Sequence, residues 1–172
     1  MKRCALALAM ALLATACVHT YEVPPPVGPL RLSSEPSFYV ARAEDGQDAR
    51  PATYELSGQR TTDAVVAALE KRGCRASSGT QVESFDQNLE AAREAGSDYL
   101  VVPDILNWED RATEWSGKPD RIAIRMIVTD VASGEVADDR TIRGKSRWLT
   151  FGGDHPQDLL AVPLEQWAEQ LF

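Results

Sequence analysis

Residues 121–130 read Arg121-Ile122-Ala123-Ile124-Arg125-Met126-Ile127-Val128-Thr129-Asp130, with Ile122, Ile124, Met126 and Val128 on alternate positions. A period of two puts those four side chains on one face of a strand and Arg121, Ala123 and Arg125 on the other. Ala132-Ser133-Gly134-Glu135 follows as a turn, so residues 136–143 are expected to pair back as the second strand of a hairpin. That strand alternates less cleanly, because Asp138 and Arg140 share parity with Ile142.

Upstream, residues 99–106 (YLVVPDIL) form a strongly apolar strand, and Pro103 within it implies a bulge or an edge. Ser84-Phe85-Asp86-Gln87 has the form of a capping box, with Phe85, Leu89 and Ala92 at helical spacing behind it and Gly96 closing the helix. Residues 37–41 (SFYVA) and 74–76 read as two earlier strands. Between them, Thr61 or Thr62 is placed to cap a helix whose buried side is Val65, Val66 and Leu69 and whose end is Gly73. Downstream, Leu160, Leu164, Trp167 and Leu171 share one face of a terminal helix that Pro163 can start. The expected fold is α/β: a mixed five-stranded sheet in the order β-α-β-α-β, then a β-hairpin and a C-terminal helix. The first three strands should be parallel and the hairpin antiparallel. No internal repeat is visible, and residues 37–172 make a single domain.

The 172 residues are 44% hydrophobic and 26% charged, an ordinary globular mixture that excludes disordered, collagen-like and coiled-coil readings. With 18 Lys and Arg against 26 Asp and Glu, the net charge of −8 argues against nucleic acid as a partner, since that requires a basic surface.

At the N-terminus, Lys2 and Arg3 precede the apolar run 4–14 (CALALAMALLA), which is shorter than the roughly 20 residues a membrane span needs and reads as a secretory signal over residues 1–16. Leu13-Ala14-Thr15-Ala16-Cys17 resembles the lipobox of bacterial lipoproteins, with Ala14 where Leu is usual. The resemblance implies diacylglycerol on the Cys17 sulfur, further acylation such as palmitate, and a membrane attachment through that lipid. Ala14-Thr15-Ala16 also fits ordinary signal peptidase, which would leave Cys17 as a free thiol able to pair with Cys74. Loss of Lys2 and Arg3 takes the net charge from −8 to −10, so acyl chains rather than anionic headgroups are expected to hold the chain. Val18, in place of an Asp, favours the outer membrane with the domain facing the periplasm. Residues 17–36 hold Pro24, Pro25, Pro26, Pro29 and Pro36 and read as a semi-rigid tether that reaches at most about 65 Å from Cys17 to Ser37.

Two segments carry a further likeness. Trp108-Glu109-Asp110-Arg111-Ala112-Thr113-Glu114-Trp115-Ser116-Gly117-Lys118-Pro119-Asp120-Arg121 and Phe151-Gly152-Gly153-Asp154-His155-Pro156-Gln157-Asp158-Leu159-Leu160 resemble a family of uncharacterised Gram-negative lipoproteins known only as a domain of unknown function. The resemblance implies an envelope location and transfers no catalytic residue. Tyr54-Glu55-Leu56-Ser57-Gly58 is similar to periplasmic α/β domains of the Tol-translocation and penicillin-binding-protein-activator kind, which are adaptors.

The same two segments hold the candidate site. His155 beside Asp154 could act as a base with Glu109 or Asp110, or Asp154 could cap a helix that Pro156 enters. His19 and His155 are the two histidines, so a multi-histidine zinc site is unavailable; no metal and no cofactor is expected. Trp108 and Trp115, flanked by Glu109, Asp110 and Arg111, could form a platform for a glycan face or a partner protein, or could pack at a hairpin end. Trp148 and Trp167 are expected in the core, and Cys74 as a small buried hydrophobe. The mixed charges Glu109, Asp110, Arg111, Glu114, Lys118, Asp120 and Arg121 suggest a loop held by local ion pairs. The expected function is therefore a non-enzymatic, lipid-anchored binding or adaptor domain. The alternatives are a hydrolase of an envelope polymer using His155 with Glu109 or Asp110, and a structural envelope lipoprotein.

Overall fold

The structure is a computed structural model that describes residues 19–26, 32, 35–47, 53–111, 118–147 and 155–172. The strands are β1 (Thr20–Glu22), β2 (Ser37–Val40), β3 (Arg75–Ser78), β4 (Tyr99–Glu109), β5 (Arg121–Asp130) and β6 (Val136–Lys145). The helices are α1 (Ser57–Lys71), α2 (Phe85–Glu94) and α3 (Ala161–Glu169), with a 3-10 turn at Pro156–Leu159 before the last. One six-stranded sheet runs in the order β1-β6-β5-β4-β2-β3. Strands β3, β2 and β4 are parallel, and β4, β5, β6 and β1 are antiparallel. This is the mixed α/β arrangement expected, with one strand more.

The alternation of β5 fixes the layers. Ile122, Ile124, Met126 and Val128 are fully buried against α1, the 3-10 turn and α3, together with Phe38, Val101 and Ile142. Helix α2 lies over a smaller cluster on the opposite face, where Ala92 meets Leu100, Ala41 and Val131. Pro103 sits where β2 has already ended: the β2–β4 ladder stops at Val101, so beyond it that side of β4 is an open edge with no ladder to break. A register shift between Ile105 and Asn107 then bends the strand.

Several local expectations are met by different atoms. The capping box at Ser84 and Gln87 is present, yet Phe85 is exposed and Asn88 and Ala92 are the buried residues of α2. Helix α1 starts a turn before Thr61, at Ser57, because the Asp45 carboxylate accepts the amides of Leu56 (3.2 Å) and Gly58 (2.8 Å) from outside the helix. Thr62 becomes a buried link instead: its hydroxyl accepts from Ala43 N and donates to Gly58 O, both at 3.0 Å. A Cβ at Gly58 would stand 2.2 Å from Ala43 O, so this approach of helix to strand end needs glycine.

Two departures are larger. The sixth strand, β1, comes from the segment read as a tether, and Arg140 Nη1 donates to Pro24 O at 2.8 Å just beyond it. Trp108, read as a possible surface platform, is 2% exposed: it pairs across the ladder with Ile122 on the helix-covered face. Trp167 is in the core as expected, and its indole N–H donates to Asp138 at 3.2 Å. Cys74 is half-buried beside the core, and burial raises its thiol pKa, with Arg72 opposing.

Candidate functional site

Strand β4 ends at Glu109 opposite Arg121, the first residue of β5, so residues 110–120 connect two adjacent antiparallel strands. Asp120 anchors that return. It is fully buried; its carboxylate accepts the Arg111 amide at 2.6 Å, and its backbone exchanges hydrogen bonds with Ser146, N to Oγ at 2.9 Å and O from N at 3.0 Å. Buried polar groups cost free energy unless they are hydrogen-bonded, and these bonds meet that need. Asp120 therefore ties the exit of β4, the entry of β5 and the exit of β6 to one another.

Above this clamp the side chains of Glu109 and Arg111 come together. Arg111 Nε donates to Glu109 Oε2 at 2.9 Å, closing a partly buried ion pair. Asp110 points away, and its Oδ2 lies 3.8 Å from His155 Nδ1, with both side chains about half exposed. That distance suits an ion pair once the imidazole is protonated and is too long for a hydrogen bond. His155, rather than Asp154, stands before the 3-10 turn: its amide donates to Asp158 at 3.0 Å, and Pro156 is the first residue of the turn. Leu159 then lies over Gly144, where a Cβ would stand 3.2 Å from Leu159 Cβ, so the small residue lets the turn sit on the sheet.

Of the residues expected at the site, Asp110 and His155 meet at the surface, Glu109 and Arg111 pair beside them, and Trp108 lies beneath in the core. Trp115, Trp148, Phe151, Asp154 and Cys17 lie outside the described residues. The residues that do most to place this surface, Asp120 and Ser146, were not singled out. Asp120 stood in the mixed-charge series, but its partner is in another segment, which no local pattern reveals. Among the described residues no group of three or more His, Cys, Asp or Glu side chains is gathered as a metal cluster.

Residues 30–171 match the family model described as a domain of unknown function, DUF4823. The chain belongs to this family. It is a domain type of unknown function, consistent with the expected resemblance to an uncharacterised family. No curated protein is significantly similar to the sequence. The DUF4823 fold is nonetheless shared with solved structures. A PelC dodecamer from Paraburkholderia phytofirmans aligns at TM-score 0.65 and 11% identity, over 90% of this chain and 97% of that one. Protein XCC0632 from Xanthomonas campestris, of the DUF330 family, aligns at TM-score 0.51 and 15% identity over 87% and 89%. The hypothetical protein CT253 from Chlamydia trachomatis aligns at TM-score 0.52 and 11% identity over 80% and 98%. At such identities the likeness is one of fold alone.

Proposed function

We propose that the protein is an outer-membrane lipoprotein, anchored through diacylglycerol and fatty acid on Cys17, whose DUF4823 domain is a non-enzymatic binding module facing the periplasm. The sequence around Cys17 supports the anchor, and Val18 supports the outer membrane. The binding reading is carried by one observation: the approach of Asp110 to His155 makes two connections, distant in sequence, share one exposed surface. Loops held on a rigid sheet are common recognition elements. Trp115 belongs to one of these connections and brings an aromatic group of the kind that dominates interface energies. The partner is an envelope protein or glycan.

Hydrolysis by His155 with Glu109 or Asp110 is the weaker reading. A general base needs its carboxylate partner within hydrogen-bond reach, whereas Asp110 stands at 3.8 Å and Glu109 is taken by Arg111.

Capture from envelope extract compares the wild type with Trp115→Ala and with Asp110→Ala/His155→Ala. Loss of the same partner from both variants is expected, and identical partners throughout would overturn the surface. The anchor is tested separately by palmitate labelling: incorporation into wild type and none into Cys17→Ser is expected, and equal envelope fractionation of the two would remove it.

A further inference from the structure

The ladder places two rows of side chains on the uncovered face at one end of the sheet. Thr20, Lys145, Arg121 and Glu109 are registered neighbours across four strands, and Glu22, Arg143, Ala123 and Asn107 form the next row on that face. The row between them, Tyr21, Gly144, Ile122 and Trp108, points the other way, to the core. A groove of ≈ 460 Å³ opens over the two rows, lined by Thr20, Glu22, Asn107, Arg121, Arg143 and Lys145 among others. That volume falls within the range of small-ligand sites. Arg121, Arg143 and Lys145 line it with Glu22, while Glu109 at the end of the first row is paired with Arg111; the chain as a whole carries −8. Arg143 reaches Glu22 only at 3.8 Å, and no described residue pairs with Arg121 or Lys145. Arginine forks match phosphate oxygens, and acidic groups more than about 8 Å away are largely screened at physiological salt.

The position of β1 says what covers this groove. Thr20 belongs to the groove and begins the strand, and Cys17 lies only three residues before it. That length of chain spans about 10 Å at most, not the 65 Å of a free leash. An acyl group on Cys17 would hold this end of the sheet within reach of the polar layer that flanks the hydrocarbon core. We infer that Arg121, Arg143 and Lys145 form an anion groove that takes the phosphate-bearing headgroups of an acidic phospholipid surface, so that the domain rests on the bilayer by this end. The inference deepens the proposed function and rests on acylation of Cys17.

Lysine labelling tests it, because the mature chain has Lys71, Lys118 and Lys145 and the first is a remote control, paired with Glu165 on the helical side. The acylated chain is reconstituted in phosphatidylcholine vesicles with or without phosphatidylglycerol and treated with an impermeant amine-acylating reagent. Labelling of Lys145 relative to Lys71 should fall severalfold when phosphatidylglycerol is present, and recover in high salt and in Arg121→Gln/Arg143→Gln. An unchanged ratio across the vesicles overturns the groove. Equal protection of Lys145 by inorganic phosphate in the Cys17→Ser chain overturns the membrane as the source of the phosphate. Intact mass of the N-terminal peptide reads acylation independently: its absence would sink the anchor, while the labelling ratio still measures the groove.

Discussion

Strand β6 carries two ion pairs that point opposite ways. Asp138 and Arg140 face the core, Nε to Oδ2 at 2.8 Å, with both side chains 2% exposed. Asp139, between them, faces solvent and takes two hydrogen bonds from Arg125 of β5, at 2.8 and 2.6 Å, with each side chain roughly two-fifths exposed. By bond geometry the outer pair is the better one, since it is bidentate. By consequence the inner pair matters more, because its remaining atoms organise the fold. Asp138 also accepts the Trp167 indole N–H, while Arg140 donates to Gln170 at the end of α3 and to Pro24 after β1. One buried pair thus ties the terminal helix and the N-terminal segment to the middle of β6. Removing one partner of a buried pair strands a charge away from water, whereas an exposed charge is re-solvated.

The largest effect should come from breaking the inner pair on one side. Arg140→Met leaves Asp138 buried without its cation, a change that costs about 3–5 kcal/mol where one partner of such a pair is removed. Denaturant unfolding measures it. Asp138→Leu/Arg140→Met, which removes both charges, should recover much of that loss, because well-packed apolar replacement of a buried pair is often near neutral. The single variant should also free β1, seen as faster proteolysis near residues 19–26. If Arg140→Met is no less stable than the double variant, the inner pair does not organise this region.

A smaller effect is expected where the stabilising carboxylate lies at the surface. Asp45 caps α1 from outside the helix, accepting two backbone amides. Asp45→Ala should lower stability by about 1 kcal/mol, the usual loss when a helix N-terminal cap is removed. Asp45→Asn, which keeps an acceptor, should lose less. Equal stability of all three chains would show that water replaces the cap without cost.

The same contrast explains what the sequence made legible. The buried face of β5 was readable because four apolar residues alternate, and the capping box of α2 because its partners are three residues apart. The imperfect alternation of β6 was visible too, but its cause was not: Asp138 and Arg140 are buried because Trp167, Gln170 and Pro24, all distant in sequence, supply their partners. Strand β1 is three residues long and has no pattern of its own; only the free edge of β6 makes it a strand. Trp108 next to charged residues resembled a surface group until its pairing with Ile122 placed it in the core. At the candidate site, the motif segments were legible as motifs, whereas the meeting of Asp110 with His155 depends on the Asp120–Ser146 clamp across strand ends. Local chemistry was readable; contacts between distant segments were not.

The smallest effect belongs to the outer pair, and pH separates it from the inner one. Hydrogen bonds from Arg125 hold the Asp139 carboxyl below its ordinary range; desolvation opposes them, and the Arg125 charge adds to them. A folded-state pKa below the unfolded value near 3.9 means that the contribution is complete above that value and is lost as pH falls through the lower, folded one. Arg125→Gln should therefore leave the thermal midpoint at neutral pH almost unmoved, since exposed pairs contribute little. Its midpoint should approach that of wild type still more closely in strong acid, where Asp139 is protonated in both chains. Asp130, held low by the Ser133 amide, gives the matching control: it has no guanidinium partner among the described residues, so Arg125→Gln leaves its share of the acid transition in place. A gap between wild type and Arg125→Gln that widens on acidification would mean that Arg125 stabilises the sheet by something other than its bond to Asp139. The outward face of β6 would then resemble the inward one.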